Sequence, residues 1–133
     1  MKNANPSAGS SEERTPQDIV ERTFEFAAAV IRLCVKLDAR PSVGRILMSQ
    51  ILRAGTRVPL NVEEAQAAES KADFVSKMSI ALKEARERHL RLRLLVPARV
   101  VSIFDLNSLI QEADEIKRVI GAIIVSTKRG GEV

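Results

Sequence analysis

The sequence predicts an all-α protein, an antiparallel up-down-up-down four-helix bundle whose second helix is kinked at Pro59. Three observations carry this expectation. Apolar residues recur at spacings of three and four in four successive blocks. Helix-breaking or helix-capping residues separate the blocks. VIGAIIV (119–125), which taken alone resembles a buried strand, continues the helical stripe of the residues before it. At 133 residues the chain suits one domain, long enough to bury most of its apolar surface in one core.

Residues 1–14 are rich in Asn, Ser, Gly, Pro and charge. They hold too little apolar surface to offset their ordering entropy and are expected to form a flexible tail. The bundle is expected over 15–129, with a second flexible segment at 130–133. Thr15, Pro16 and Asp18 supply an N-cap, a first-turn proline and a first-turn acid. Ile19, Thr23, Phe26, Val30, Leu33 and Leu37 then mark one helical face, which should end where ARPS (39–42) breaks the pattern. Between Phe24 and Val35 only Glu25 and Arg32 are charged. A helix without a polar face is normally covered on more than one side, which points to self-association.

The second block, 42–68, contains Pro59. Its stripe of Leu47, Ile51, Ala54, Val58, Val62 and Ala65 crosses the proline without losing phase. A kink is therefore favoured over a stop, and Gly55, four residues back, relieves crowding by the ring. The competing reading has Asn61 capping a new helix, with Glu64 three residues on. A third helix is expected to begin at Ser70, with Asp73 three positions later, and to run through Leu95 to Pro97 along Phe74, Met78, Ala81, Leu82, Ala85, His89 and Leu92. The fourth should start near Asp105 or Asn107 and carry Leu109, Ile110, Ala113, Ile116, Ile120, Ile123, Ile124 and Thr127 before Gly130 and Gly131 end it. Its last turns are also too apolar for a monomer surface.

Composition excludes several function classes. One cysteine, Cys34, permits no internal disulfide, and a single histidine, His89, leaves no metal-ligand cluster. No cofactor or metal is expected, and the expected location is a reducing cytoplasm. No run approaches the roughly 18 apolar residues of a membrane-spanning helix. Phosphate-binding glycine loops, two-histidine metal pairs and nucleophilic-serine elbows are all absent, so no catalytic residue is assigned. His89 and Cys34 lie on apolar faces, where a satisfied imidazole and a small buried thiol account for them. Arg53, Arg57 and Glu64 border the second stripe, with Asn61 nearer its centre. A small-molecule enzyme or binder using Arg53, Arg57 and Glu64 is one reading. The plainer one is a half-buried structural network of Arg53, Arg57, Asn61 and Glu64 that satisfies backbone groups freed at Pro59 and pairs internally or with a neighbouring helix.

Basic character is the stronger clue. The net charge is +4, and KEARERHLRLRLLVPAR (83–99) holds Lys83, Arg86, Arg88, Arg91, Arg93 and Arg99 against Glu84 and Glu87. By helical phase Arg86 and Arg93 flank one side of the inner stripe, and Arg88 and Arg91 the other. Several copies around an axis would join these patches into one positive surface, suited to RNA or DNA phosphates rather than to bases. With four Phe and no Trp or Tyr, sequence-specific recognition of single strands by stacking is disfavoured.

SQILRAGTRVPLNVEEAQAAESKADFVSKMSIALKEARE (49–87) and LIQEADEIKRVIGAIIVSTKR (109–129), with the order of elements, resemble the 23S rRNA-intervening-sequence protein family. The pattern is met by Arg53, Pro59, Asn61 and Glu64, then by Asp73, Phe74 and Ile80 to Ala85. The chain departs from it at Glu63 to Ala65, where the family usually has Ala, Glu and Gly, and at Leu90 and Arg91, where relatives often carry aromatics. The resemblance implies a homopentamer of four-helix bundles with a central channel and no enzymatic activity. Some members are encoded within ribosomal RNA insertions, and related bundle pentamers are nucleic-acid-binding accessories of reverse transcriptases. The expectation is thus a non-enzymatic homo-oligomer that binds RNA, or otherwise a protein-interaction scaffold.

Overall fold

The computed structural model describes residues 16–37, 43–97 and 103–130. They form four helices, α1 (Pro16–Leu37), α2 (Val43–Gln66), α3 (Lys71–Leu94) and α4 (Ile103–Lys128), and no strand is present among them. The expected tail at 1–14, the cap at Thr15 and residues 131–133 lie outside the described residues. Among the described residues α1 packs on α2, α2 on α3, α3 on α4, and α4 back on α1. Each helix thus has two neighbours around one shared core, the arrangement of a four-helix bundle. Contacts pair rising numbers on one helix with falling numbers on the next. Val30 meets the Gly55 position and Cys34 meets Met48, while Glu64 pairs with Lys77 and Arg57 with Glu84.

Local chemistry accounts for the ends. Ser70 caps α3 from an extended backbone conformation, its hydroxyl accepting from the Asp73 amide at 3.0 Å. Ser70→Ala should cost about 1 kcal/mol in a urea titration, because that first-turn amide loses its side-chain acceptor. At the other end of the chain Gly130 has φ +91°, and its amide donates to the Thr127 carbonyl at 3.0 Å. That left-handed residue stops α4, as glycine does most readily.

The core follows the stripes. Ile19, Phe26, Val30, Ile51, Val58, Val62, Phe74, Met78, Leu92, Ile116 and Ile120 are all buried. The hydroxyls of Thr23 and Thr127 are buried with them and donate to the carbonyls of Ile19 and Ile123, at 2.7 and 2.8 Å. Buried polar groups are tolerated when paired in this way. α2 runs unbroken through Pro59, so Asn61 caps no new helix. Its side-chain amide instead donates back to the Arg57 carbonyl at 2.9 Å.

Candidate nucleic-acid interface

Pro59 has no N–H, so the Gly55 carbonyl four residues earlier loses its helical donor. Arg88 of α3 supplies a substitute. Its Nη1 donates to the Gly55 oxygen at 3.4 Å, and its guanidinium carbon stacks 4.3 Å from the centre of the Phe26 ring on α1. A Cβ at position 55 would approach Val30 Cγ1 to 3.3 Å and Arg88 Cδ to 3.7 Å, so the glycine makes the room. Arg88 is 0% exposed, and its Nε and Nη2 have no hydrogen-bond partner. Desolvation pulls its pKa down to about 10, against a weaker opposing pull from the Glu112 charge. This corrects the sequence expectation. Arg88 is a core residue reaching two other helices, and it is withdrawn from the surface that phosphates would meet.

The remaining arginines of α3 divide as their phase requires. Arg86 and Arg93 are exposed and line a groove of about 480 Å³ between α3 and α4, together with His89, Lys117 and Arg118. Arg91 lies on the other side, 3.6 Å from Glu87, in a groove shared with Arg53, Lys83 and Glu84. Acids offset the cations there. Arg99 falls outside the described residues.

The α3/α4 groove is the more positive of the two. Arg86, Arg93, Lys117 and Arg118 surround it, and Asp114 contacts the last two, 2.9 Å from Lys117 Nζ and 3.0 Å from Arg118 Nε. His89 forms part of the wall. Lys117 Nζ lies 3.3 Å from its Nδ1, and an ammonium cannot accept, so Nδ1 is the acceptor and the ring proton is on Nε2, toward Asp114 Oδ1 at 3.9 Å. Burial, then the charges of Lys117 and Arg93, hold the imidazole pKa below its ordinary value. Hydrogen bonding from Lys117 lowers that of Asp114 and keeps it ionised. Lys117 and Arg118 were missed in the sequence, although EADEIKR shows both cations within one turn of Asp114. What a single helix cannot reveal is that this turn faces Arg86 and Arg93.

A larger cavity, about 860 Å³ between α1 and α4, has the opposite charge. Asp18, Glu21, Glu25, Glu112 and Glu115 line it, against Arg22 and Arg32. Arg22 is forked onto Glu112, Nε to Oε2 at 2.7 Å and Nη2 to Oε1 at 2.8 Å, and its Nη2 also reaches Glu115. These carboxylates raise its pKa above the ordinary arginine value and tie α1 to α4. Size alone would favour this cavity, but its acid excess repels phosphate.

Of the residues expected to form a polar network around Pro59, Arg57 and Glu64 each pair with the neighbouring helix α3, one of the two expected arrangements, rather than with each other. Arg57 pairs with Glu84 at 3.1 Å, Glu64 with Lys77 at 3.3 Å, and Arg53 stands apart; all three are exposed rather than half-buried. The group freed by Pro59 goes to Arg88. Cys34 also stands away from His89, its Sγ lying 3.8 Å from the Met48 carbonyl.

A family model for the 23S rRNA-intervening sequence protein matches residues 16–122, from the start of α1 well into α4. The chain belongs to this family. A solved structure similar to it is that of a protein of unknown function from the S23 ribosomal protein family of Bacteroides thetaiotaomicron VPI-5482. The two are 32% identical with a TM-score of 0.75, covering 83% of this chain and 97% of that one. No curated protein matches the chain. This 23S rRNA-intervening sequence protein keeps two features that a bundle core does not explain, the basic α3/α4 groove and an apolar strip on α1. In that strip Phe24, Ile31 and Val35 project from one face, Phe24 at 60% and Val35 at 71% exposure. No described helix is long and apolar enough to cross a membrane.

Proposed function

We propose that this protein is a non-enzymatic, cytoplasmic, homo-oligomeric bundle that binds nucleic acid, RNA in preference to DNA, by its phosphate backbone. The observation that carries the reading is the convergence of Arg86, Arg93, Lys117 and Arg118 on one groove with a single carboxylate among them. Clustered cations release condensed counterions when they meet a polyphosphate, and that release is indifferent to sequence. Phe26 and Phe74 are buried and no phenylalanine lines the groove, so phosphate contacts rather than stacking on phenylalanine carry the reading. The preference for RNA rests on the family's association with ribosomal RNA insertions. The exposed strip on α1 supports assembly, with the family's pentamer as the expected form.

Affinity for unrelated RNA sequences should therefore be similar and fall steeply with salt. Arg86→Ala with Arg93→Ala should flatten the slope of log K against log salt by about 1.4 to 1.8, from roughly 0.7 to 0.9 per contact. Absence of binding near about 50 mM salt removes the reading. A protein-interaction scaffold would then be favoured, for which the α1 strip is the specific evidence. The separate pairing of Arg57 and Glu64 counts against a small-molecule site built from Arg53, Arg57 and Glu64.

A further inference from the structure

The Asp114 carboxylate holds two of the cations that line the basic groove, Lys117 and Arg118, in the way an incoming oxyanion would. Its Oδ1 is 2.9 Å from Lys117 Nζ and its Oδ2 is 3.0 Å from Arg118 Nε, with the protonated edge of His89 3.9 Å from Oδ1. Lys117 is additionally directed at His89 Nδ1, so two donors and the imidazole edge surround one carboxylate, while Arg86 and Arg93 across the groove are left to the ligand. A phosphate oxygen requires the same geometry from the same donors.

The geometry points to Asp114 as a built-in phosphate mimic, an intramolecular competitor that holds Lys117 and Arg118 and must be displaced before a nucleic-acid phosphate can engage them. This inference rests on the groove being the phosphate surface. It adds that the groove is self-inhibited, with Arg86 and Arg93 making first contact and the α4 cations engaging only as Asp114 yields. The carboxylate and its two cations sit on α4 at three- and four-residue spacing, so substitution leaves the helix intact.

The test is fluorescence anisotropy of a labelled oligouridylate of about 30 nucleotides with the full-length protein and Asp114→Asn, across a salt series. Release of both cationic contacts should tighten binding by more than about threefold at about 50 mM salt and steepen the slope by about 1.4. If the parent binds and Asp114→Asn binds equally or more weakly, the inference is overturned, because Asp114 would then orient the cations rather than compete with their ligand; the groove reading would survive. If neither protein binds, both fall, and the parent's own failure identifies the groove reading as the cause. Arg118→Gln is the second arm. It should reduce affinity less than Arg93→Gln, since Arg118 is already neutralised by Asp114, and an equal or greater reduction would also overturn the inference.

Discussion

Arg88→Met is expected to match or exceed the parent protein in stability, by up to about 1 kcal/mol, while Arg88→Ala loses about 2 to 4 kcal/mol. The guanidinium is fully buried, and desolvation pulls its pKa well below the ordinary arginine value, down to about 10. At about 1.4 kcal/mol per pH unit, burial disfavours the charged form by roughly 3 kcal/mol. Against this stand stacking on Phe26, worth about 2 kcal/mol when desolvated, and a hydrogen bond to Gly55 that is long at 3.4 Å. Nε and Nη2 contribute nothing because they have no partner. Methionine fills much of the same volume and keeps a favourable sulfur contact with the Phe26 ring, at the loss of the Gly55 contact. Alanine removes the charge too, but it leaves a cavity among Phe26, Val30 and Gly55. Chemical denaturation of the three proteins decides the matter. If Met is as damaging as Ala, the guanidinium is better satisfied in solution than its surroundings indicate.

Phe24→Glu combined with Val35→Glu should convert an assembly into a folded monomer of 14.6 kDa. Both side chains are exposed and share a face of α1 with Ile31, so the substitution spares the core. Each large apolar side chain buried at an interface contributes about 1.5 to 3 kcal/mol, and a buried unpaired carboxylate adds a further penalty. Repeated at every contact of the proposed assembly, that loss is far larger than a marginal interface withstands. Light scattering after size exclusion provides the measurement. A parent protein that is itself monomeric would refute assembly, and a variant of unchanged mass would move the interface away from this strip.

Much of the fold was readable because it depends on local chemistry. Ser70 announces a helix start by its hydroxyl, Gly130 a stop by its tolerance of positive φ, and the stripe through Val58 and Val62 requires α2 to continue past Pro59. The site was less readable because it depends on pairs distant in sequence. Arginine is polar by any hydropathy measure, and Arg88 enters the core only because Gly55, 33 residues earlier, has no side chain and Pro59 leaves a carbonyl without its donor. Neither residue alone signals that. Lys117 and Arg118 give no such signal for a related reason, since a groove belongs to two helices and the sequence of α3 alone does not contain it. Asn61 was placed correctly near the core, but it serves the Arg57 carbonyl rather than a new helix start.

The Arg88 contact also fixes how two helices align along their length. A slide of α3 against α2 by one turn, about 5.4 Å, would carry the guanidinium away from its acceptor on Gly55 and set it beside Ile51 or Val58, where side chains fill the space that Gly55 leaves open. Apolar stripes alone tolerate such slippage, because one aliphatic contact resembles the next. A lone buried charge does not, and so the least comfortable group in the core selects a single register for the pair.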